Sequence, residues 1–370
     1  MIEESFIETL RKSIINNWDR PAFTDYGTDK TMTYRDVAVE VERLHSLFRA
    51  LNLEKNDKIA LVGKNNSNWV TCYIAILTYG TIVVPILQDF KPNDALHIIN
   101  HSDSKLLLIS DVLYESLDIS EMEQVEAVVS LTDYSLLAQK VECDLSKVYS
   151  PQKLKPADII YCNKTNAEIA SINYTSGTTG FAKGVVTPLN ALAGNVLFCS
   201  SHHVVYHESR QVVFLPLAHA FGCAFDFLTS FAVGAHSWFI GRTPSPKILL
   251  QAFKEIKPTC VFTVPLILEK IYKTQIVPHL KKSSINWVLK MPLLDEVLLS
   301  KMRQALVDAF GGEFDEIIIG GAPLNAEVDA FLKRIKFPYT VGYGMTECAP
   351  IISFSDYDKF VAQSCGSTKL

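Results

Sequence analysis

Short apolar runs typical of buried β-strands alternate along this chain with longer segments whose apolar residues recur at helical spacing. Lys58 to Val62 and Leu106 to Ser110 are such strands, and helical patterns separate them. The alternation resumes further along, where the strand Glu316 to Ile319 leads directly into Gly320-Gly321. Because strands that alternate with helices form parallel sheets, the chain is predicted to have an α/β fold. Ligands bind such sheets at the loops that follow the strands.

Several segments show where the elements begin and end. Thr33 to Asp36 is predicted to be a helix capping box, and Thr187-Pro188 to be an N-cap followed by proline at the first helical position. Asp111 to Asn166 has little clear period and is predicted to bridge two sheets. The other predicted helices cover 69–79, 92–102, 188–201, 221–233, 246–256 and about 296–310, and the other strands 81–86, 169–174, 211–215, 236–240 and 259–263.

The composition is that of a globular protein with no electrostatic preference for nucleic acid. Apolar residues make up 48% of the 370 residues, charged residues make up 20%, and the net charge is −5. Eight cysteines are scattered without a C-x-x-C pair or zinc spacing, which favours reduced, buried thiols. The N-terminus, MIEESFIETLRK, is acidic and amphipathic, unlike a secretory signal, so a cytoplasmic location is expected.

Asn65 to Gln88 carries no charge and is long enough to span a membrane. Gly80 and Pro85 interrupt it, however, and Asn, Ser and Thr are interspersed. A buried helix followed by a strand is therefore predicted here instead of a transmembrane span.

The run TSGTTGFAKG, from Thr175 to Gly184, has the chemistry that suits a polyanion. Glycines let backbone N–H groups approach phosphate oxygens, hydroxyls donate further hydrogen bonds, and Lys183 adds a positive charge. The same composition is also typical of a flexible surface loop. A strand that ends at Tyr174 and the apolar Val185-Val186 confine the run on both sides, which favours a binding loop.

Three more segments have a motif-like character: LPLAHAFG (Leu215 to Gly222), GGAPL (Gly320 to Leu324) and GYGMTE (Gly342 to Glu347). Together with YTSGTTGFAKGV (Tyr174 to Val185), they resemble in order and spacing the motifs of the adenylate-forming superfamily. That superfamily contains acyl-CoA synthetases, luciferases and the adenylation domains of peptide synthetases. The weaker segments MTYRDV and LTYGTIVVPI also fit, so the resemblance covers roughly residues 20 to 370.

The resemblance implies a fold of two doubly wound βαβ subdomains with an incomplete β-barrel subdomain at the C-terminal end. The first subdomain would cover residues 1–165 with the bridging segment, and the second 166–340 with the signature loop and an acyl pocket. Residues 341–370 would hold the adenine and magnesium motif and begin the barrel. The superfamily's ribose-binding aspartate, hinge and mobile C-terminal domain find no counterpart in these residues, so the chain is expected to be the N-terminal portion of a longer enzyme.

By the same resemblance, the chain would bind ATP and Mg²⁺. The phosphates would be held by Thr175, Ser176, Gly177, Thr178, Thr179, Gly180 and Lys183, and the nucleoside by Gly320, Gly321, Ala322, Tyr343 and Gly344, with Tyr343 stacked on adenine. Thr346 would donate to the α-phosphate, and Glu347 would coordinate Mg²⁺, a hard cation that prefers oxygen ligands. Phe181-Ala182 stands where the family commonly has a proline before the lysine, so the loop is expected to be less rigid.

The catalytic roles implied by the resemblance belong to Lys183, His219, Thr346 and Glu347, with His219 beside the acyl carboxylate. A carboxylic acid has a pKa of about 4 and is already ionised near neutral pH, so its activation needs no general base. Taken alone, a histidine in an apolar run is more often a core residue, and an acid such as Glu347 is more often on the surface. The contiguous motifs favour the functional interpretation.

The substrate class is inferred from apolar segments and one short sequence likeness, which are less specific than the motifs. Cys223 to Phe231 and Val264 to Tyr272 are strongly apolar and, by resemblance, line the acyl pocket. LEKIY (Leu268 to Tyr272) is similar to long-chain acyl-CoA synthetases, although Leu266-Ile267 departs from the Pro-Arg common there. The implied function is ATP-dependent activation of a medium- or long-chain fatty acid, followed by transfer to CoA. The chain is most like bacterial long-chain fatty acid–CoA ligases.

Two alternatives stay open. One is a fatty acyl-AMP ligase that loads a carrier protein, and the other is a truncated, non-catalytic module that binds a nucleotide or an acyl group. The expected partners are small molecules, namely a fatty acid, ATP and CoA, and not nucleic acid. Peripheral association with a membrane and assembly into a homodimer are both left open.

Overall fold

The structure of the protein is a computed structural model that describes residues 2–144, 146, 148–151, 153–175, 182–280 and 292–368. The strands, in chain order, are β1 (Pro21–Asp25), β2 (Thr31–Thr33), β3 (Lys58–Val62), β4 (Ile82–Ile86), β5 (Ser104–Ile109), β6 (Ala127–Ser130), β7 (Leu136–Gln139), β8 (Ile169–Thr175), β9 (Lys183–Pro188), β10 (Arg210–Val213), β11 (His236–Phe239), β12 (Cys260–Thr263), β13 (Glu316–Ile319), β14 (Tyr339–Val341), β15 (Tyr343–Gly344), β16 (Ile351–Phe354) and β17 (Ser367–Thr368).

Helices connect most of these strands. The α-helices, in chain order, are α1 (Phe6–Asn16), α2 (Tyr34–Ala50), α3 (Ser67–Tyr79), α4 (Pro92–His101), α5 (Asp111–Tyr114), α6 (Leu189–Ser201), α7 (Ser230–Val233), α8 (Pro246–Ile256), α9 (Pro265–Gln275), α10 (Val277–Leu280), α11 (Pro292–Ala309) and α12 (Ala326–Arg334). A π-helix, Gly222–Thr229, precedes α7, and short 3-10 helices cover Ile119–Glu121, Pro156–Asp158 and Thr346–Cys348.

The first sheet has seven strands in the order β7-β6-β5-β3-β4-β8-β9. Its inner strands are parallel, and the edge strands β7 and β9 run antiparallel to their neighbours. All five residues of β4 are buried, as expected for a strand covered on both faces of a parallel sheet. This sheet confirms the predicted α/β class.

The second layer is built from β10-β11-β1-β2 and from the parallel strands β12-β13-β14. These two groups lie side by side, because the Thr259 N–H donates to the Arg210 carbonyl at 3.0 Å. Strands β15, β16 and β17 form a small antiparallel sheet; within the described residues it is not a closed barrel.

The two sheets draw strands from both sides of residue 165. Strands β8 and β9 belong to the first sheet, whereas β1 pairs with β11 in the second layer and β2 pairs with β1. The expected domains 1–165, 166–340 and 341–370 therefore do not map one-to-one onto the sheets, and their boundaries stay a prediction.

Two local predictions were wrong. Thr187 does not cap α6 but lies in β9, where it pairs with Ser171. Pro188 ends β9, paired with Ile169, and occupies the N-cap position of α6 without a side-chain cap hydrogen bond, instead of the first helical position. An edge strand tolerates the proline, which has no N–H to donate, so extended pairing prevails over the capping pattern. The segment from Asp111 to Asn166 does not merely bridge sheets, since β6 and β7 within it extend the first one. These two strands are too short to show a period in the sequence.

Other local predictions were confirmed. The capping box is present, with the Asp36 N–H donating to Thr33 Oγ1 at 3.2 Å and the Thr33 N–H donating to Asp36 at 2.8 Å. The uncharged stretch from Asn65 to Gln88 contains α3 and then β4. In the part of the chain that the structure describes, no helix has the length and apolar character needed to cross a membrane.

One hydrophobic core joins the two layers around α3. Trp69 and Tyr73 of this helix lie with their ring centroids 6.4 Å and 5.6 Å from Phe227 of the π-helix. Phe227 also contacts Phe23 of β1, at 6.2 Å between centroids. The layers are thus held together by packed aromatic side chains, each of which is nearly fully buried.

The Asn65 side chain adds a polar link between the layers. It follows β3, and its Nδ2 donates to the Leu215 carbonyl at 2.7 Å while its Oδ1 accepts from the Leu217 N–H at 3.1 Å. Leu215 and Leu217 are both buried, so these bonds pair backbone groups that water cannot reach.

We expect Asn65→Ala to lower the free energy of unfolding by about 1–3 kcal/mol, because it leaves two buried backbone groups unpaired. Urea denaturation of both proteins measures the change, with the slope of the transition expected to stay constant. The neighbouring exposed Lys64→Ala serves as the control and should shift stability by less than about 0.5 kcal/mol. Equal midpoints for Asn65→Ala and the unmodified chain would contradict this role.

Candidate active site

The predicted adenine and magnesium motifs meet because three parallel strands end at the same level. The Gly320 N–H donates to the Thr263 carbonyl at 3.0 Å, and the Gly342 N–H donates to the Ile319 carbonyl at 2.9 Å. These bonds continue the ladder of β12, β13 and β14 past the last strand residues. The loops that follow are therefore side by side at the carboxyl edge of the sheet, where α/β proteins bind ligands.

Glycines allow close contacts at this edge. A Cβ added at Gly320 would lie 3.0–3.3 Å from ring atoms of Phe221, and one at Gly344 would lie 2.2 Å from the Pro350 carbonyl oxygen. Gly321 has a φ of +83°, a conformation that side chains rarely adopt. The chain can pack this closely at Gly320 and Gly344, and turn as it does at Gly321, only while these residues stay glycine.

The segment from Tyr343 to Ile351 forms a tight turn beside the strand ends. The Met345 N–H donates to the Pro350 carbonyl at 2.9 Å, and Asn195 of α6 donates from Nδ2 to the Ala349 carbonyl. This turn presents the Tyr343 ring, which is 52% exposed, and the exposed carboxylate of Glu347. A flat exposed ring and a free carboxylate are suited to stacking on a base and to binding a cation.

A cavity of about 340 Å³ lies among these loops. Of the predicted site residues, it is lined by Thr175, His219, Gly320, Gly321, Tyr343, Gly344, Thr346 and Glu347. Its volume is near the lower end of the range of about 300–1,000 Å³ that small-molecule sites occupy. The structure therefore brings residues from four separate motifs into one site.

The sequence did not reveal most of the cavity's apolar wall. The additional lining residues are Phe198, Cys199, Val204, Phe221, Phe225, Phe262, Ile318, Gly342, Met345, Pro350, Ile351 and Phe354. Strand alternation could have found Phe262 and Ile318, which precede the motif loops on β12 and β13. Phe198 and Cys199 of α6 carry no local signal, because only tertiary packing brings them here.

The two predicted acyl-pocket segments differ in whether they line the cavity. Within Cys223 to Phe231 only Phe225 lines the cavity, since the remaining side chains of the π-helix and α7 pack into the protein core. No residue from Val264 to Tyr272 lines it. Those residues form α9, whose apolar face is buried against the neighbouring helices, so their apolar character reflects packing.

Some predicted residues are not in the cavity wall. Ala322 is exposed and does not line the cavity, and neither does Lys183, which is exposed at the start of β9. Lys183 is paired in register with Thr175, so it lies at the base of the signature loop. Ser176, Gly177, Thr178, Thr179, Gly180 and Phe181 lie outside the described residues.

His219 has a defined orientation at the mouth of the cavity. Its backbone N–H donates to the Pro216 carbonyl at 3.1 Å, and its Nδ1 accepts from the Phe221 N–H at 3.4 Å. The acceptor role of Nδ1 leaves the proton of the neutral ring on Nε2. The ring remains accessible, but the surrounding protein removes enough water to lower the pKa of His219 below its usual value.

Glu347 is the predicted magnesium ligand. Among the residues that the structure describes, no group of three or more His, Cys, Asp or Glu side chains could hold a metal ion. A single exposed carboxylate still fits Mg²⁺, which keeps several waters and is commonly bound through one or two carboxylates and substrate phosphates.

A family model described as AMP-binding enzyme matches residues 10–369. The chain belongs to this family. Among curated relatives, it is 27% identical over 385 residues to Long chain acyl-CoA synthetase 1 of Arabidopsis thaliana, covering 92% of this chain and 56% of that protein. It is 23% identical to Long-chain-fatty-acid–CoA ligase FadD15 of Mycobacterium bovis, covering 84% of this chain and 54% of that protein. The chain spans about half the length of the curated relatives it matches.

Solved structures share the fold of this AMP-binding enzyme. The anthranilate CoA ligase AuaEII in complex with anthranoyl-AMP superimposes with a TM-score of 0.76 at 18% identity, covering 99% of this chain and 63% of that one. The N-terminal domain of FACL13 from Mycobacterium tuberculosis gives a TM-score of 0.76 at 18% identity, covering 99% and 82%. These likenesses confirm the predicted fold of the adenylate-forming N-terminal domain.

Asp226 is an acid near the apolar wall of the cavity. It lies in the π-helix next to the cavity-lining Phe225, but it is fully buried and does not itself line the cavity. Burial raises the pKa of its carboxyl group well above the usual range. Because burial disfavours its charged form, Asp226 is poorly suited to be the partner of a substrate ammonium group.

We expect the His219 ring to be neutral near pH 7, with its proton on Nε2 and a pKa below the usual 6.5. Desolvation disfavours the imidazolium, so the ring takes up a proton only at lower pH. Long-range ¹H–¹⁵N NMR spectra recorded across a pH series measure both the tautomer and the pKa. Loss of the resonance in His219→Gln assigns it, and a proton on Nδ1 or a pKa at or above 6.5 would refute the expectation.

Proposed function

We propose that the chain activates a fatty acid with ATP, forming an acyl-adenylate and pyrophosphate, as part of a fatty acid–CoA ligase. The observation that carries the proposal is the composition of the cavity. One wall consists of glycines, hydroxyls and an exposed carboxylate from the nucleotide motifs, and the other consists of aromatic and aliphatic side chains. A nucleotide and an acyl chain require these two surfaces next to each other.

The polar wall supports the nucleotide half of the proposal. Tyr343 offers an exposed ring for stacking, and Gly320 and Gly321 line the cavity without side chains of their own. Thr175 and Thr346 provide hydroxyls in the cavity wall, one from the end of β8 and one from the turn after β15. Lys183 at the base of the signature loop would add its charge to the bound phosphates.

The chemistry requires positioning and charge stabilisation. A carboxylate attacks the α-phosphorus, the bond to the bridging oxygen of pyrophosphate breaks, and the electron pair leaves with pyrophosphate. Thr346 would donate to the α-phosphate while Lys183 and the loop hydroxyls hold the leaving group. A neutral His219 with its proton on Nε2 is suited to donate a hydrogen bond to a carboxylate oxygen, which orients the nucleophile without taking its proton.

Mg²⁺, when bound through Glu347, would neutralise part of the phosphate charge as the bond breaks. The chain's own residues fit this role because the Glu347 carboxylate is exposed at the cavity edge, beside Thr346.

The apolar wall supports the fatty-acid half. Phe198, Phe225, Phe262, Ile318 and Phe354 line it, and no charged side chain among the described residues lines that side. The relatives named as long-chain acyl-CoA synthetases and long-chain-fatty-acid–CoA ligases agree with this surface and suggest CoA as the acceptor.

ATP–pyrophosphate exchange across a panel of carboxylic acids tests the proposal. We expect exchange with medium- or long-chain fatty acids, and we expect Glu347→Gln to lower the exchange rate about 100-fold or more, because the metal loses its carboxylate. Glu115→Gln, a matched change at an exposed acid that follows α5, should leave the rate unchanged. Exchange supported only by amino acids or aryl acids would overturn the fatty-acid assignment.

A further inference from the structure

The apolar wall of the cavity is backed by a row of polar side chains. Phe262 on β12 and Ile318 on β13 line the cavity and are paired in register. Two positions back on the same strands are Cys260 and Glu316, which are also paired. Because alternate residues of a strand point to the same face, Cys260 and Glu316 are on the same face of the sheet as Phe262 and Ile318. They lie two residues further from the carboxyl edge, next to the residues of the cavity wall.

Cys199 connects this row to the cavity. It lines the cavity from α6 and is only 1% exposed. Burial raises the pKa of its thiol, and the Glu316 carboxylate adds to the rise. Since such an effect falls off with distance, Glu316 lies close behind a small side chain of the cavity wall.

Gln211 extends the row on the next strand. The Asp315 N–H donates to the Thr259 carbonyl just as the Thr259 N–H donates to the Arg210 carbonyl. The bond from Asp315 to Thr259 comes one residue before the paired residues Glu316 and Cys260. The bond from Thr259 to Arg210 comes, in the same way, one residue before Cys260 and Gln211. Gln211 on β10 is therefore next to Cys260 in the row.

The row contains polar atoms whose hydrogen-bonding capacity is unused. Within the described residues, Glu316 Oε2, both carboxyl oxygens of Asp226 and both amide atoms of Gln211 lack hydrogen-bond partners. Gln211 and Asp226 are fully buried, and Glu316 is 8% exposed. Asp226 also acts on the Cys260 thiol, whose pKa is raised first by burial and further by Glu316, Cys199 and Asp226. Buried polar atoms in proteins are almost always hydrogen-bonded. The unpaired atoms of Glu316, Asp226 and Gln211 therefore indicate a missing hydrogen-bonding partner.

We propose that Glu316, supported by Gln211 and Asp226, forms a polar floor behind the apolar wall of the acyl cavity, and that this floor binds a hydroxyl group at the distal end of the substrate's acyl chain. None of the three residues is in the cavity wall itself. The inference rests on the proposed function, because it assumes that the substrate's carboxylate lies at His219. In this proposal the distal group would pass the small Cys199 side chain, which lines the cavity in front of Glu316.

A hydroxyl is the end group that this floor suits best. Burial, and to a smaller extent Asp356, Asp315 and Asp358, raise the pKa of Glu316 to about 7, so near neutral pH its carboxyl can accept or donate a hydrogen bond. Burial raises the pKa of Asp226 and so favours its uncharged carboxyl form, which can likewise do both, as can the Gln211 amide. A hydroxyl offers one donor and two acceptor sites, whereas a methyl end leaves every one of these groups unpaired.

Isothermal titration calorimetry with the full chain tests the polar floor. Straight-chain acids of increasing length are compared with their ω-hydroxy counterparts, and ATP is titrated separately. We expect the ω-hydroxy acid to bind about tenfold or more tightly than its parent at the chain length that reaches Glu316. Glu316→Leu should remove or reverse that preference, and Glu316→Gln should retain part of it. The affinity for ATP should stay the same in both variants.

Glu296→Gln, at an exposed acid of α11, is the control for the charge change and should keep the wild-type preference. Circular dichroism and thermal melting verify that the variants are folded. Equal affinities for each hydroxy acid and its parent in the wild type, or a preference that Glu316→Leu leaves intact, would overturn the polar floor while the proposed function stands. A chain that binds ATP but no aliphatic acid would overturn the proposed function and the polar floor together.

Discussion

The site exists because β12, β13 and β14 are parallel and end together. Two backbone hydrogen bonds, from Gly320 to Thr263 and from Gly342 to Ile319, carry the ladder one residue beyond the strands. Parallel pairing thereby brings together loops that are far apart in the sequence, and everything else at the site is arranged around that edge. The Tyr343 ring, the Glu347 carboxylate and the glycines of the adenine motif all take their positions from it.

Two asparagine side chains hold the remaining walls against this edge. Asn65 pairs with the backbone at Leu215 and Leu217 and so fixes the segment that carries His219. Asn195 of α6 donates to the Ala349 carbonyl and ties the apolar wall to the turn that carries Glu347. The two Asn65 bonds link the end of β3 in the first sheet to the segment that follows β10 in the second layer, and the Asn195 bond links α6 to the turn after β15.

Much of this could be predicted from local patterns. The strands at 58–62 and 316–319, the helix at 246–256 and the capping box at Thr33 all follow from spacing and end signals, and the structure has them as predicted. The convergence of His219, Gly320, Tyr343 and Glu347 followed from the resemblance. The polar wall of the cavity could be predicted because each of its motifs is a contiguous stretch of sequence.

What could not be predicted depends on contacts between distant segments. Thr187 and Pro188 are in an edge strand because β8 is available to pair with them, so α6 begins one residue later than the capping pattern indicates. Phe198 and Cys199 line the cavity only because α6 packs against the π-helix, and the apolar face of α9 is buried against neighbouring helices. The unpaired atoms of Gln211, Asp226 and Glu316 are a tertiary property, invisible when each residue is seen among its sequence neighbours.

Photolabelling with 8-azido-ATP, followed by peptide mass spectrometry, tests most directly whether this cavity is the nucleotide site. A base stacked on Tyr343 beside Gly320 and Gly321 would place the reactive azide against those segments. The prediction is labelling of the peptides that contain residues 320–322 and 343–347, suppressed by excess ATP and not by a fatty acid alone. Labelling confined to other peptides, or labelling that ATP does not suppress, would contradict the assignment of the cavity to ATP.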